Sequence, residues 1–563
     1  MSTSNAGRFA GSYFDARRNL LAIMAFACLS LATLAPTAHA DENPCANMLR
    51  ASLVNVQVVS ASELVGTLSE LEPQIAPESR LIAGVHEDDP ILRDLPRFCR
   101  VVAIASPVVT SRIVVELWLP QQWNGKLLAI GNHGFGGELE HADMAMGLHR
   151  GYAVAATDVG HTAPKDSRAT ARFAVDNGAA ADDFAWRGTH EMVVTAKAMV
   201  QIHYGVAARH AYFDTCSNGG RQAIREAQQF PEDFDGVIAG SAAQYWTQSF
   251  AHDLWHYQAV RLSKGGLLSA AKLSMARKAA VAACDKLDGL ADGVVANPAQ
   301  CRWSPRTIQC KADADTTNCL TAAEAAALEK IEGPLKDPSN GKVLFYGMVP
   351  GGEDLWGNWE NLVPTVGNFF RDTVVRDPNW EPLKADVTRL VPMSQVPGTF
   401  GAKLDTTNPD LSAYRARGGK LIQFHGWNDQ SFPPGHIVDY YTEVVDAQPG
   451  PNRLAQARDF YRLFMVPGMR HCRDGNGPVN FGALTHPPLP TLDADHDILE
   501  SLDRWVEGKI APDRLIATQF ANAERPQRQM PLCAYPQVAT YVSGDVNRAE
   551  SFACKEPARV LRR

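Results

Sequence analysis

The sequence predicts an α/β protein in which a mainly parallel, doubly wound sheet is interrupted by a large insertion. Apolar runs of strand length alternate with stretches of helical periodicity on both sides of a central region, as parallel strands joined by helices do. The alternation stops between residues 244 and 404, a stretch rich in Trp, Asp, Gly and Pro that holds four cysteines. We therefore expect a sheet domain built from residues 41–243 and 405–563, with 244–404 as an inserted lid domain.

The elements before the insertion are predicted from their apolar pattern. Three strands are expected in "SRIVVELWLP", "KLLAIGNHG" and "YAVAATDVG", each of which ends in turn residues. Residues Thr189 to Tyr204 have helical spacing, and Gly205 can end that helix. The stretch "HAYFDTC" reads as a strand that enters a sharp turn, "GRQAIREAQQF" as the next helix and "FDGVIAG" as another buried strand.

The alternation resumes after the insertion. A strand is expected in "GGKLIQFHGWND", a helix near "HIVDYYTEVV", a strand in "DFYRLFMVPGM" and a last helix around "HDILESLDRWVEG". This order again favours parallel strands connected by helices.

The N-terminus has the pattern of a signal peptide over residues 1–40. Arg17 and Arg18 precede an apolar run, and the small-residue site "AHA" ends at Ala40. A membrane anchor needs a longer span of about 20 apolar residues. Lipid attachment at Cys28 is disfavoured because "AFAC" lacks the usual leucine and small residue before the cysteine. A secreted or periplasmic protein is therefore expected.

Charge excludes some partners. The formal net charge is −8, and the chain has no basic run and no second long apolar span. Binding to nucleic acid, or to a membrane after signal cleavage, is therefore not expected. The oligomeric state is not indicated.

Ten cysteines remain after removal of the signal peptide, an even number that favours five disulfides in an oxidising compartment. Pairing of neighbours along the chain leaves Cys216 and Cys472 for each other. The expected pairs are Cys45–Cys99, Cys284–Cys301, Cys310–Cys319, Cys533–Cys554 and Cys216–Cys472.

Ser217, in the stretch "DTCSNGGRQ", is the candidate nucleophile. It follows an apolar strand and precedes a helix, the position of the nucleophile in an α/β-hydrolase, where small residues two positions away on each side relieve crowding. Gly219 fits this pattern, whereas Thr215 stands where glycine is usual. The alternative is a glycine-containing turn with an incidental serine.

Asp429 and His471 are the candidate partners of Ser217. Each comes just after a predicted strand, and the chain order Ser, acid, His is that of an α/β-hydrolase triad. Either residue alone would more often be a surface loop group. A proton exchange between Ser217 and His471 requires hydrogen-bond contact, so their neighbours Cys216 and Cys472 would also lie within reach of a disulfide.

Two backbone amides are candidate donors to the oxyanion. One belongs to Asn218, directly after the serine, and the other to Gly134 in the glycine-rich stretch "GNHGFGG". A glycine-rich turn with no ligand is the alternative for the second.

The stretches "CSNGG", "HGWND" and "VPGMRHC" resemble the tannase and feruloyl esterase family, and the resemblance extends from "WNGK" to the C-terminal cysteines. The bacterial branch that contains mono(hydroxyethyl) terephthalate hydrolase is similar around "HGWNDQSFPPGHIVDYY". The resemblance implies the triad and oxyanion hole named above, a substrate-pocket position for His425 and the same five disulfides.

The inserted stretch "CDKLDGLADGVV" is a candidate calcium site. Asp285, Asp288 and Asp292 supply the hard oxygen ligands that calcium prefers, and the resemblance adds the carbonyls of Leu290 and Val294. A solvated acidic turn is the alternative. The expected role of the ion is structural.

The expected function is that of a secreted serine carboxylic ester hydrolase, whose small aromatic substrates are feruloyl or galloyl esters. The reaction would pass through an acyl-enzyme. Alternatives are a terephthalate monoester hydrolase, a lipase-like esterase, and a polyphenol- or carbohydrate-binding protein with an inactive hydrolase fold.

Overall fold

A computed structural model of the chain describes residues 44–67, 90–163, 170–261, 268–356, 359–483, 491–522 and 525–557. The predicted signal peptide lies outside the described residues. No helix in these ranges is long and apolar enough to cross a membrane.

The described strands follow in chain order: β1 Val56–Gly66, β2 Leu95–Ala105, β3 Ile113–Pro120, β4 Lys126–Ile130, β5 Ala153–Thr157, β6 His210–Cys216, β7 Gly236–Gly240, β8 Leu335–Lys336, β9 Val343–Phe345, β10 Lys420–Gly426, β11 Tyr461–Val466, β12 Arg514–Asn522, β13 Arg525–Cys533, β14 Val538–Tyr541 and β15 Phe552–Lys555. Nine of them form one sheet in the order β1-β2-β3-β5-β4-β6-β7-β10-β11.

The described α-helices are α1 Pro44–Asn47, α2 His141–His149, α3 Gly178–Asp182, α4 Gly188–Tyr204, α5 Asn218–Gln229, α6 Trp246–Arg261, α7 Ala270–Cys284, α8 Ala322–Glu332, α9 Trp359–Phe369, α10 Val387–Ser394, α11 Phe400–Leu404, α12 Ser412–Arg417, α13 Pro434–Asp446, α14 Arg453–Arg458 and α15 Ile498–Gly508. Helix α4 ends where predicted, because Gly205 takes the left-handed φ of 74° that closes a helix.

The sheet is mixed and mainly parallel, so this prediction is confirmed. The pairs from β5 through β4, β6, β7 and β10 to β11 are parallel, whereas β1, β2, β3 and β5 pair antiparallel. Parallel strands share one carboxyl edge, and the ends of β4, β6, β10 and β11 therefore open on the same side of the sheet.

The central strands are buried on both faces. Neighbours along a strand point to opposite faces, so Leu128 and Tyr212 pack in one apolar cluster while Leu127 and Phe213 pack in another. Helices α2 and α15 contribute to the first cluster, and α4, α5 and α13 to the second. A doubly wound sheet accounts for these continuous apolar runs.

The segment between β7 and β10 is mainly helical and contains the short pair β8–β9. Its Trp246, Phe250 and Phe369 pack against Phe135 and Phe184, which precede the segment in the chain. The assignment of residues 244–404 as a separate lid domain stays a prediction.

The C-terminal residues form two antiparallel pairs, β12–β13 and β14–β15, which the sequence analysis did not predict. The Cys533–Cys554 disulfide joins β13 to β15.

Candidate active site

Ser217 occupies a tight turn between β6 and α5. Its φ of 64° lies in the left-handed region, which a serine adopts only when the surrounding structure enforces it. A Cβ atom on Gly219 would lie 1.7 Å from Thr215 Oγ1, and one on Gly131 would lie 2.3 Å from the same atom. The Thr215 side chain therefore fills space that these two glycines leave open, which accounts for a threonine where glycine is usual.

The predicted triad residues lie together at the carboxyl edge of the sheet. His471 Nε2 is 2.9 Å from Ser217 Oγ, and His471 Nδ1 is 2.9 Å from Asp429 Oδ2. Asp429 follows β10 and His471 follows β11, so two neighbouring parallel strands deliver the acid and the base. The side chains form a continuous hydrogen-bonded chain from hydroxyl to carboxylate.

Asp429 is fully buried, and its second oxygen accepts hydrogen bonds from two amides. Ser431 N and Phe432 N lie 2.9 and 3.0 Å from Asp429 Oδ1. Burial alone would raise the pKa of this carboxyl, but the adjacent His471 ring and these donors hold the pKa below its usual value. Asp429 is therefore ionised at neutral pH and can orient and stabilise the imidazole.

His425 lies behind the acid. Its side chain is fully buried, with Nε2 2.9 Å from the Phe432 carbonyl and 3.5 Å from Asp429 Oδ2. The structure therefore makes His425 a neighbour of Asp429 and does not expose it on an open pocket surface. A substrate-contacting role for His425 stays a prediction.

The Cys216–Cys472 disulfide joins the nucleophile turn to the histidine loop, with the two Cα atoms 6.0 Å apart. Cys472 N also donates to Ser241 Oγ at 3.1 Å. The four other disulfides are Cys45–Cys99, Cys284–Cys301, Cys310–Cys319 and Cys533–Cys554, the pairs expected from the sequence.

The two candidate oxyanion donors lie at the start of α5 and in the loop bonded to it. Asn218 N is the first amide of α5 and so has no carbonyl within its own helix to bond. Gly134 has a φ of 54°, in a loop whose Asn132 carbonyl accepts a 2.8 Å hydrogen bond from Gly219 N. The loop is therefore fastened to the helix that follows Ser217.

Three supporting residues were missed by sequence reasoning. Asn132 and Gln222 bond each other across the loop and α5, and buried Arg221 donates to Asn218 Oδ1 at 2.8 Å. All three lie inside the two stretches quoted for the active site. Their residue types gave no sign of a partner, because side-chain pairing depends on how the loop folds onto the helix.

The predicted calcium ligands lie in the loop after α7. Asp285, Asp288 and Asp292 each accept a 3.0 Å hydrogen bond from an amide of their own loop, and Asp292 also pairs with Arg528. Asp285 Oδ1 and Asp288 Oδ2 are buried with no hydrogen-bond partner among the described residues.

A different group of side chains could hold a metal ion, and the sequence analysis did not predict it. The ligand atoms of His190, Glu226 and Asp233 all lie within 4.8 Å of one another. Among the described residues, the His190 group meets this distance criterion, whereas the three loop aspartates do not.

Comparison with known proteins decides the family. The sequence profile described as "Tannase and feruloyl esterase" matches residues 99–555, most of the chain. The chain belongs to the tannase and feruloyl esterase family. It is therefore a carboxylic ester hydrolase of this family.

Individual relatives agree with this family. An uncharacterized esterase from Xanthomonas campestris is 34% identical over 96% of this chain and 96% of its own. A probable feruloyl esterase from Arthroderma benhamiae is 34% identical over 80% of this chain and 84% of its own. The crystal structure of an esterase from Aspergillus oryzae matches with a TM-score of 0.80 and 27% identity, covering 91% of this chain and 99% of that chain. The predicted α/β-hydrolase fold is thereby confirmed.

Proposed function

We propose that this esterase hydrolyses esters of aromatic acids, such as feruloyl or galloyl esters, with Ser217 as nucleophile, His471 as base and Asp429 as orienting acid. The observation that carries the proposal is the unbroken hydrogen-bonded chain through these three side chains. A serine hydroxyl becomes a strong nucleophile when such a base removes its proton.

The reaction takes two steps. Ser217 Oγ attacks the ester carbonyl while its proton passes to His471 Nε2, and the amides of Asn218 and Gly134 donate to the oxyanion. The tetrahedral intermediate collapses when the alcohol leaves with the proton from His471. A water molecule then gives a proton to His471 and attacks the acyl-enzyme. The acid leaves as Ser217 Oγ takes that proton back from His471.

The Phe432 ring beside the triad histidine supports an aromatic acid as substrate. The Phe432 ring centroid lies 5.1 Å from that of His471, and Phe135 follows the candidate oxyanion donor Gly134 directly. Aromatic rings pack well against a planar acyl group. The relatives described as probable feruloyl esterases support the same substrate class.

A structural calcium ion is part of the proposal. The buried, unpartnered oxygens of Asp285 and Asp288 fit a cation, and Asp292 with the carbonyls of Leu290 and Val294 would complete the ligand set. The ion would crosslink the loop after α7, and no reaction step uses it. Chelation should lower the melting temperature, and Asp288→Asn should remove one calcium per chain; unchanged calcium content in that variant would contradict the site.

We also propose that the protein is exported, to the periplasm or the medium. Five disulfides support this, because such bonds persist in oxidising compartments.

An ester panel tests the substrate class. We expect purified protein to hydrolyse methyl ferulate or methyl gallate with a higher kcat/KM than a long-chain p-nitrophenyl ester, and Ser217→Ala to lose this turnover while remaining folded. Preference for mono(hydroxyethyl) terephthalate would instead identify a terephthalate monoester hydrolase. Preference for the long-chain ester would identify a lipase, and no turnover of any ester would indicate a binding protein.

A further inference from the structure

The group formed by His190, Glu226 and Asp233 lies at the far end of the nucleophile helix. His190 is in the first turn of α4, Glu226 in the last turn of α5, and Asp233 in the turn between α5 and β7. Ser217 precedes the opposite end of α5, so this group is separate from the triad.

The three side chains converge. Their ligand atoms all lie within 4.8 Å of one another, and His190 Nδ1 is 2.6 Å from Asp233 Oδ2. Glu226 is 1% exposed, and neither of its carboxylate oxygens receives a hydrogen bond from a donor in the described part of the chain. A buried carboxylate beside another acid must either hold a proton or be paired with a positive charge.

Two cations near Glu226, Arg225 and Lys197, donate to backbone carbonyls and not to its carboxylate. Lys197 Nζ donates to the Glu232 carbonyl at 2.9 Å. Without a bound proton or cation, the Glu226 and Asp233 carboxylates would put two negative charges in a largely buried space. A divalent cation would neutralise both.

We infer that His190, Glu226 and Asp233 bind a divalent transition metal ion, for which zinc is the probe. One imidazole nitrogen and two carboxylates form a mixed donor set that suits zinc better than calcium or magnesium, and a water molecule would complete a four-coordinate site. The Phe230 ring stacks on His190 at 4.0 Å and shields one side. The partly exposed His190 gives the ion a route from solvent.

Such an ion would have a structural role. It would tie the start of α4 to the end of α5 and to the turn that leads into β7. The site does not depend on the proposed ester specificity, and its failure would leave the triad untouched.

Zinc binding to the chelator-treated, full-length mature protein tests this inference, with calcium present in excess to fill the proposed calcium site in the loop after α7. We expect one zinc ion per chain by calorimetry and metal analysis, with a zinc-dependent rise in melting temperature. Cobalt in place of zinc should give the visible absorption bands of a four-coordinate site in the unmodified protein. This signal does not require any variant to fold.

Three variants distinguish a bound metal ion from the alternative explanation, in which Glu226 and Asp233 share a proton. Glu226→Gln and His190→Gln should bind zinc at least about tenfold more weakly, the scale on which even supporting residues act at metal sites. Glu191→Gln, an acid next to His190 on α4, is the matched control and should bind zinc as the parent does. Absence of zinc binding and of cobalt bands in the parent, or equal binding in all variants, would overturn the inference.

Discussion

Asn132 and Gln222 exchange two hydrogen bonds beside the nucleophile. Asn132 N donates to Gln222 Oε1 at 3.1 Å, and Gln222 Nε2 donates to Asn132 Oδ1 at 3.0 Å. Asn132 Nδ2 also donates to the Thr157 carbonyl at 2.7 Å. The loop that carries Gly134 is thereby held at a fixed position relative to the helix that begins after Ser217.

Replacing Gln222 by methionine should lower kcat more than it lowers stability. Loss of an oxyanion donor costs about 10²–10³ in kcat, so a displaced loop should cost roughly tenfold or more. Gln228→Met is the matched control, because Gln228 lies on the same helix and its amide donates to the 406–408 loop and to Tyr440. The comparison uses kcat and thermal unfolding; an unchanged kcat in Gln222→Met would contradict this role.

Gly219→Ala should disrupt the nucleophile turn. The new Cβ would lie 1.7 Å from Thr215 Oγ1, so the backbone must move at a cost of about 1–3 kcal/mol or more. The second change Thr215→Gly removes the clash and should restore part of the activity. Gly178→Ala is the control, because no atom of the described residues lies within 4 Å of a Cβ there, so the free energy of unfolding should not fall. An active, stable Gly219→Ala protein would refute the packing argument.

Removing the Cys216–Cys472 disulfide should reduce both stability and turnover. The bond closes a loop of 256 residues, for which chain entropy predicts about 5.5 kcal/mol. Cys216→Ala/Cys472→Ala should also lower kcat, because the histidine loop loses its fixed distance from the serine. The control is Cys310→Ala/Cys319→Ala, whose cysteines are separated by 9 residues. Its predicted loss of unfolding free energy is about 3 kcal/mol, and its kcat should be unchanged. Equal kcat in both double variants would be the contrary result.

Asp158 should make stability fall as pH rises from about 4 to 7. Burial raises the pKa of Asp158 to about 7. This happens even though its carboxylate accepts 2.9 Å hydrogen bonds from the amides of Val114 and Gly160, which lower the pKa. The folded protein holds this proton while the unfolded chain, with a pKa of about 4, has lost it, which costs up to about 4 kcal/mol by pH 7.

The variant Asp158→Asn keeps an acceptor for both amides and does not titrate. In chemical unfolding at pH 4, 5.5 and 7, the free energy of unfolding should therefore decrease less with pH for the variant than for the parent. Parallel curves for the two proteins would show that Asp158 does not titrate in this range.

Much of the fold could be predicted because its signals are local. The alternation of apolar runs located β6, β7, β10 and β11, and residues directly after such strands were expected at one edge. The antiparallel pair β12–β13 was not predicted, because Pro526 and Pro531 interrupt the second strand and its partner is set by tertiary packing.

The site residues divide in the same way. Ser217 and His471 could be predicted because each directly follows a recognisable strand. The burial of His425 could not, because it depends on the loop after β10, in which the Phe432 carbonyl contacts the His425 ring. The His190 group joins residues separated by 36 and 7 positions, and no single stretch of sequence carries its pattern.

Mass mapping after treatment with a fluorophosphonate tests the central claim most directly, since that reagent forms a stable adduct only with an activated serine. The account predicts one adduct per chain, on the peptide that contains Ser217, with loss of labelling in Ser217→Ala and strong reduction in His471→Ala. An adduct on another serine, or a Ser217→Ala protein that still hydrolyses esters at the parent rate, would contradict it.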